Sequence, residues 1–245
     1  MEILTIQTGS KGNAYVIKYK NESIMIEAGS KMIKDYETKI NFNKIKYLFI
    51  SHSHGDHCEF IDKFAKIYKP TIIANPETYN HIDSKLNTKI KRLNLEEDKW
   101  YELETWLKVK PIHVPHDAYN WAYIIHFFDK KFAFVTDIGK VETKLYEDED
   151  FKNLDLLMFE ANYDENLIHL SNIDGSIKSR ITSDKGHLSL KESKHFIESL
   201  NNEKMLVLLI HKSTVHTNDE VCREFIKNKP KWIWAQKNQK IKLEN

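Results

Sequence analysis

The chain has 245 residues, with 37 lysines and arginines against 36 acidic residues and a net charge of +1. That length suits one domain spanning 1–245 with a substantial core, and no run of about 18 apolar residues marks a membrane span. A balanced charge does not advertise a long duplex as partner, which usually requires a basic excess or stripe.

Met1-Glu-Ile-Leu-Thr-Ile6 begins like a strand and lacks the basic-then-apolar build of a signal peptide, so a cytoplasmic protein is expected. Cys58 and Cys222 form no spaced pair and are expected as buried reduced thiols. The basic clusters Lys39, Lys44, Lys46 and Lys227, Lys229, Lys231 read as solvated faces.

In chain order, strands are expected near 2–7, 13–19, 23–28 and 46–50. Directly after the run Tyr47-Leu-Phe-Ile50 comes His52-Ser-His54-Gly-Asp56-His57. On an extended segment, residues two apart project to one side, so His52 and His54 can share one ion. Asp56 and His57 fall where the chain turns into a helical pattern expected over 57–68, and that turn aims them at a second ion. Imidazole with carboxylate suits zinc, manganese or iron.

A strand near 71–74 and a helix near 76–85 follow. The next strands, near 107–112, 122–128 and 131–136, come with His116 after the first of them and Asp137 after the last. A helix near 141–147 precedes a strand near 154–159, and the polar, Gly-bearing stretch 171–187 reads as a substrate-facing loop. A helix near 189–200 leads to a strand near 205–210 that ends at His211, then a helix near 217–227 and a strand near 232–235. Strand runs with helices at their flanks fit two sheets covered by helices. His216 rivals His211 as the last ligand, but His211 abuts the strand. His81, His126, His169 and His195 read as structural or surface residues, whereas His113 and His216 could orient ligands from behind.

The motif HxHxDH, with His116, Asp137 and His211 each after its own strand, resembles the metallo-β-lactamase superfamily over almost the whole chain. The resemblance implies an α/β (α+β) fold, a four-layer αββα sandwich, with two divalent metal ions. Zn2+ is the expected metal and Mn2+ the alternative. It implies that His52, His54 and His116 hold one ion, that Asp56, His57 and His211 hold the other, and that Asp137 bridges them. Thr8-Gly-Ser-Lys-Gly-Asn-Ala14, His116-Asp-Ala118, Thr136-Asp-Ile-Gly139, Phe159-Glu-Ala-Asn162 and Arg180-Ile181 with Gly186-His187-Leu-Ser189 look like the YycJ (WalJ) group, whose core resembles RNase Z. Glu27 stands where that group commonly has Asp, Tyr163 where it commonly has His, and Lys212-Ser-Thr where it has Leu-Ser.

The chemistry implied is hydrolysis of a phosphodiester, with a nucleotide or nucleic acid as partner and no membrane. A homodimer is left open. The substrate is either a small cyclic nucleotide, as for phage anti-Pycsar enzymes, or nucleic-acid ends. Thioester or lactam hydrolysis on the same fold is the alternative, and a metal-stabilised binding protein without turnover is a third. Asp56 is the residue to orient the attacking water. His187 could protonate the leaving oxygen or clamp phosphate, or could simply start the helix at Ser189. Arg180 offers a phosphate-matching fork, with a surface ion pair as its plainer role. Tyr119, Trp121 and Tyr123 flank the His116 loop and could stack on a base, although core packing is the plainer role.

Overall fold

The computed structural model describes residues 1–85 and 89–243, apart from the side chains of residues 32–34. It divides into two compact units, Met1–Lys99 with Gln236–Asn245, and Trp100–Ala235. Each unit carries one seven-stranded mixed sheet.

In the first unit the strands are β1 (Glu2–Gln7), β2 (Ala14–Tyr19), β3 (Glu22–Ile26), β4 (Ile45–Phe49), β5 (Thr71–Ile73), β6 (Lys91–Leu93) and β14 (Gln239–Lys242). Their order is β14-β1-β2-β3-β4-β5-β6. Pairing is antiparallel from β14 to β3 and parallel from β3 to β6. Residues such as Met25, Leu48 and Ile72 share one apolar cluster with Phe42 and Phe64. Helix α2 (Ile61–Tyr68) joins it through Ile61, Phe64 and Ala65, at helical spacing. Helix α3 (Pro76–Lys85) covers Thr78, Tyr79 and Ile82.

The single helix expected over 57–68 is two helices, α1 (Gly55–Cys58) and then α2. Continuing the helix would take a bond from Phe60 N–H to Asp56 C=O. Phe60 N–H instead donates to Ala28 O at 2.8 Å, and Asp56 O accepts from Asn13 N–H at 2.7 Å. Both halves of that bond are claimed by neighbouring segments, so the helix breaks behind the HxHxDH motif.

The second unit repeats the plan. Its strands β7 (Tyr101–Glu104), β8 (Leu107–Val114), β9 (Asn120–Phe127), β10 (Lys130–Val135), β11 (Leu156–Glu160), β12 (Leu206–Ile210) and β13 (Trp232–Trp234) lie in chain order across the sheet. Pairing is antiparallel from β7 to β10 and parallel from β10 to β13. β11 and β12 are buried at every position, as central parallel strands are. Helices α4 (Thr143–Glu147), α5 (Glu165–Leu170), α6 (Gly175–Ile181), α7 (Leu190–Ser199) and α8 (Asp219–Phe225) complete the unit. α7 opens with a capping box, Ser189 with Glu192, worth about 1 kcal/mol.

The stretch 171–187 is not one loop. It contains α6, started by Asp174, whose carboxylate accepts from Ser176 N–H. Its last turn is tied to the site, because His187 N–H donates to Ile181 O at 2.8 Å. Cys58 and Cys222 are free and buried. Among the described residues no helix is long and apolar enough to cross a membrane.

Candidate metal centre

Ligand-type side chains gather where strands end, as open α/β sheets favour. In the first unit, β4 delivers His52, His54, Asp56 and His57. His52 Nε2 and His54 Nδ1 lie 3.0 Å apart. Two nitrogens on one tetrahedral zinc, at 2.0–2.1 Å from the ion, stand about 3.3 Å apart, so the pair is spaced for a shared cation. His52 Nδ1 is 2.9 Å from Ser51 Oγ, which leaves Nε2 as its ligand atom. His57 Nε2 lies 3.3 Å from Asp56 Oδ2, while its Nδ1 faces Glu27 Oε1 at 3.5 Å. A carboxylate behind an imidazole fixes the ring for metal binding.

Glu27 is wholly buried and accepts from Ser51 N–H at 3.2 Å. Burial pushes its carboxyl up from the usual range, against the opposing pull of His57. It reaches under the motif from the end of β3.

In the second unit, Asp137, Glu160, His187 and His211 place ligand atoms within 4.8 Å of one another. His211 Nδ1 is 2.9 Å from Asp137 Oδ1 and 3.0 Å from Glu160 Oε1. His187 Nδ1 is 2.7 Å from Glu160 Oε1 and 3.1 Å from Asp137 Oδ1. These two carboxylates push the His187 pKa up to about 9 against the effect of its own burial. Glu160 is held below the usual carboxylate range despite burial, chiefly by His187. Its other oxygen accepts from Ile138 N–H at 2.9 Å, which locks the Asp137 turn.

His116 follows β8. Its Nδ1 is 3.1 Å from Gly186 O, which leaves Nε2 as the ligand atom, and burial lowers its pKa and keeps it neutral. Gly186 permits this approach, since a Cβ there would lie 2.1 Å from Ile181 O. Its ring centroid is 5.6 Å from that of His187.

Glu27, Asp137 and His211 all have positive φ, 62°, 48° and 55°, just beyond strand ends. Left-handed backbone costs a non-glycine residue about 1–2 kcal/mol, and here it turns each side chain sharply out of its strand.

Of the seven sequence-derived ligands, Asp137 and His211 lie in the donor cluster of the second unit, His116 stands close to His187, and His52, His54, Asp56 and His57 lie together after β4. His187 joins the second cluster through Glu160, a residue the sequence reading quoted only as part of a motif. A lone carboxylate closing the apolar run Leu156–Phe159 was the available signal. Arg180 stands apart: its side chain is 65 % exposed and its guanidinium pairs with Asp117 at 3.1 Å. His216 is buried against Ser213 and is not in the donor cluster of its unit. Trp121 and Tyr123 are core, whereas Tyr119 is partly exposed and packs on His113.

Comparisons with known proteins give the family and the fold. The chain is 24% identical over 233 residues to the exodeoxyribonuclease YycJ of Bacillus anthracis, covering 89% of this chain and 84% of that one. It is 26% identical over 226 residues to the exodeoxyribonuclease WalJ of Streptococcus pneumoniae, with 89% and 83% covered. Among solved structures, the metallo-β-lactamase fold protein YhfI of Bacillus subtilis superposes with a TM-score of 0.76 at 16% identity, covering 98% of both chains. The short form of human tRNase Z gives 0.72 at 14%, covering 100% of both. A family profile described as the beta-lactamase superfamily domain matches residues 24–211. The chain belongs to this superfamily and has the metallo-β-lactamase fold.

Proposed function

We propose that the protein is a dinuclear metal-dependent phosphodiesterase that acts on nucleic-acid ends, with the whole chain serving as one catalytic domain. The observation that carries this reading is the pairing of partly buried His187 with buried Glu160 beside Asp137 and His211, a proton donor and ligands in one cluster. His52, His54 and His116 are assigned to one ion, Asp56, His57 and His211 to the other, and Asp137 to both. Zinc suits the imidazole-rich donor set, and manganese is the other candidate.

When bound, two such ions make water nucleophilic at neutral pH and offset the charge that builds on a phosphodiester. Asp56 Oδ2, adjacent to His57 Nε2, is assigned to accept the water's proton and aim its lone pair. His187 holds one proton on Nδ1 against Glu160, so its Nε2 proton is the one available to the leaving oxygen. A donor with a pKa near 9 stays protonated at neutral pH, and nearby cations would bring that value down toward the range where transfer is efficient. Arg180 is assigned to phosphate contact beside Asp117, within one residue of His116.

The names of the two curated relatives favour DNA ends over a cyclic nucleotide. Two buried thiols without a disulfide suit a reducing compartment such as the cytoplasm. The test is incubation of the metal-loaded protein with end-labelled DNA, RNA and cyclic mononucleotides. Release of mononucleotides from DNA ends is expected. Turnover of a cyclic nucleotide with DNA intact would replace this substrate with the smaller one.

A further inference from the structure

The motif Thr8-Gly-Ser-Lys-Gly-Asn-Ala14 has no part in the metal assignment, yet its asparagine lies against the ligand loop. Asn13 is 1% exposed. Its backbone N–H donates to Asp56 O at 2.7 Å, in place of the helical bond that Phe60 would have made. Its side-chain Nδ2 lies 3.3 Å from the same carbonyl, 3.5 Å from Asp56 Oδ2 and 3.2 Å from His57 Nε2. The amide orientation is fixed by its other end: Oδ1 accepts from Gly9 N–H at 2.9 Å and from the Tyr15 hydroxyl at 3.3 Å. That leaves only donors to face Asp56.

The approach depends on an absent side chain. A Cβ on Gly29 would stand 1.7 Å from Asp56 O, and Gly29 N–H donates to Asn13 O at 3.0 Å. Three backbone segments, around 13, 29 and 56, are therefore in direct contact, and the Asn13 side chain lies against Asp56 and His57.

We propose that Asn13 is the positioning residue of the Asp56–His57 ligand pair, holding the Asp56 carboxylate in the orientation that both ion binding and proton acceptance need. The proposal rests on the phosphodiesterase reading for its kinetic arm only. Groups that orient ligands from behind typically contribute 10–100-fold to metal affinity or activity.

The test compares Asn13→Ala and Asn13→Asp in the full chain. Asn13→Ala should weaken one of two bound Zn2+ ions by about 10–100-fold in competition with a chromophoric chelator, and leave the other unchanged. Asn13→Asp keeps the acceptor for Gly9 N–H, so the turn should hold. It places a carboxylate oxygen against Asp56, so the visible spectrum of the Co2+-loaded protein should change. At metal saturation kcat should fall by about tenfold or more with KM within about threefold. An Asn13→Asp protein with an unchanged Co2+ spectrum and a kcat within about threefold of wild type would overturn the proposal. A wild type that cleaves no phosphodiester, while Asn13→Ala still loses one ion selectively, would overturn the function and leave the positioning role standing.

Discussion

Glu160→Gln separates the proton donor from the ligands most cleanly. The side chain is isosteric, so the cluster keeps its packing, but the buried negative charge is lost. In the native cluster Glu160 is the strongest attraction that raises the His187 pKa to about 9, against burial. Without it, Asp137 is the carboxylate that still raises the ring's pKa while burial pushes it down, so the value falls below about 9. The protonated donor population therefore drops most at alkaline pH and little near pH 6. The amide must also turn its NH2 toward either Ile138 N–H or the His187 and His211 nitrogens. That leaves a buried donor without an acceptor, at about 1–3 kcal/mol of stability. The assay is the pH profile of kcat with metals saturating, alongside thermal melting. The alkaline limb should move to lower pH, with activity largely restored near pH 6. An alkaline limb at the wild-type position would refute the Glu160–His187 account.

Asp56→Ala should abolish turnover yet melt within a few degrees of wild type, because the strands and not this loop build the core; near wild-type rate would exclude Asp56 as the water's acceptor. His187→Ala should lower the rate by roughly 10²-fold or more with metal content unchanged, and loss of an ion in elemental analysis would make His187 a ligand instead. Arg180→Ala should lower the rate by roughly 10²-fold if its exposed fork engages phosphate; a rate within about threefold of wild type would leave only the ion pair with Asp117. For the metal-free protein, the folded His187 pKa of about 9 lies above an unfolded value of about 6.5, so its stabilisation is full below pH 6.5 and lost as pH rises through about 9. Melting temperature with chelator present should fall across that window, and His187→Ala should flatten the fall.

The candidate ligands were legible in the sequence because His52, His116, Asp137 and His211 each come within three residues of the end of an apolar strand, and an imidazole at such a strand end has little structural reason to be there. His211 after Leu206–Ile210 is the clearest case. Of the four sheet edges, β13 was legible and the other three were not. β6, β7 and β14 read Lys-Arg-Leu, Tyr-Glu-Leu-Glu and Gln-Lys-Ile-Lys, and each lies at an edge of its sheet. Edge strands carry charge that discourages further pairing, which erases the apolar signature of a strand. α5 and α6 escaped notice for a different reason. Both are short and held by their Asp caps, Asp164 and Asp174, more than by an apolar face; α6 buries no residue. Glu160 was hidden because its importance lies in two histidines that arrive from 27 and 51 residues away.

The central claim is that two ions and one buried acid–histidine pair cleave a phosphodiester. It is tested most directly by stripping the protein with chelator, restoring Zn2+ or Mn2+ stepwise, and following nucleotide release from end-labelled DNA against bound metal. The account predicts no release without metal, little at one ion per chain, and a steep rise as the second ion binds. Full occupancy by two ions with no cleavage of any phosphodiester, or full activity at one ion per chain, would contradict it.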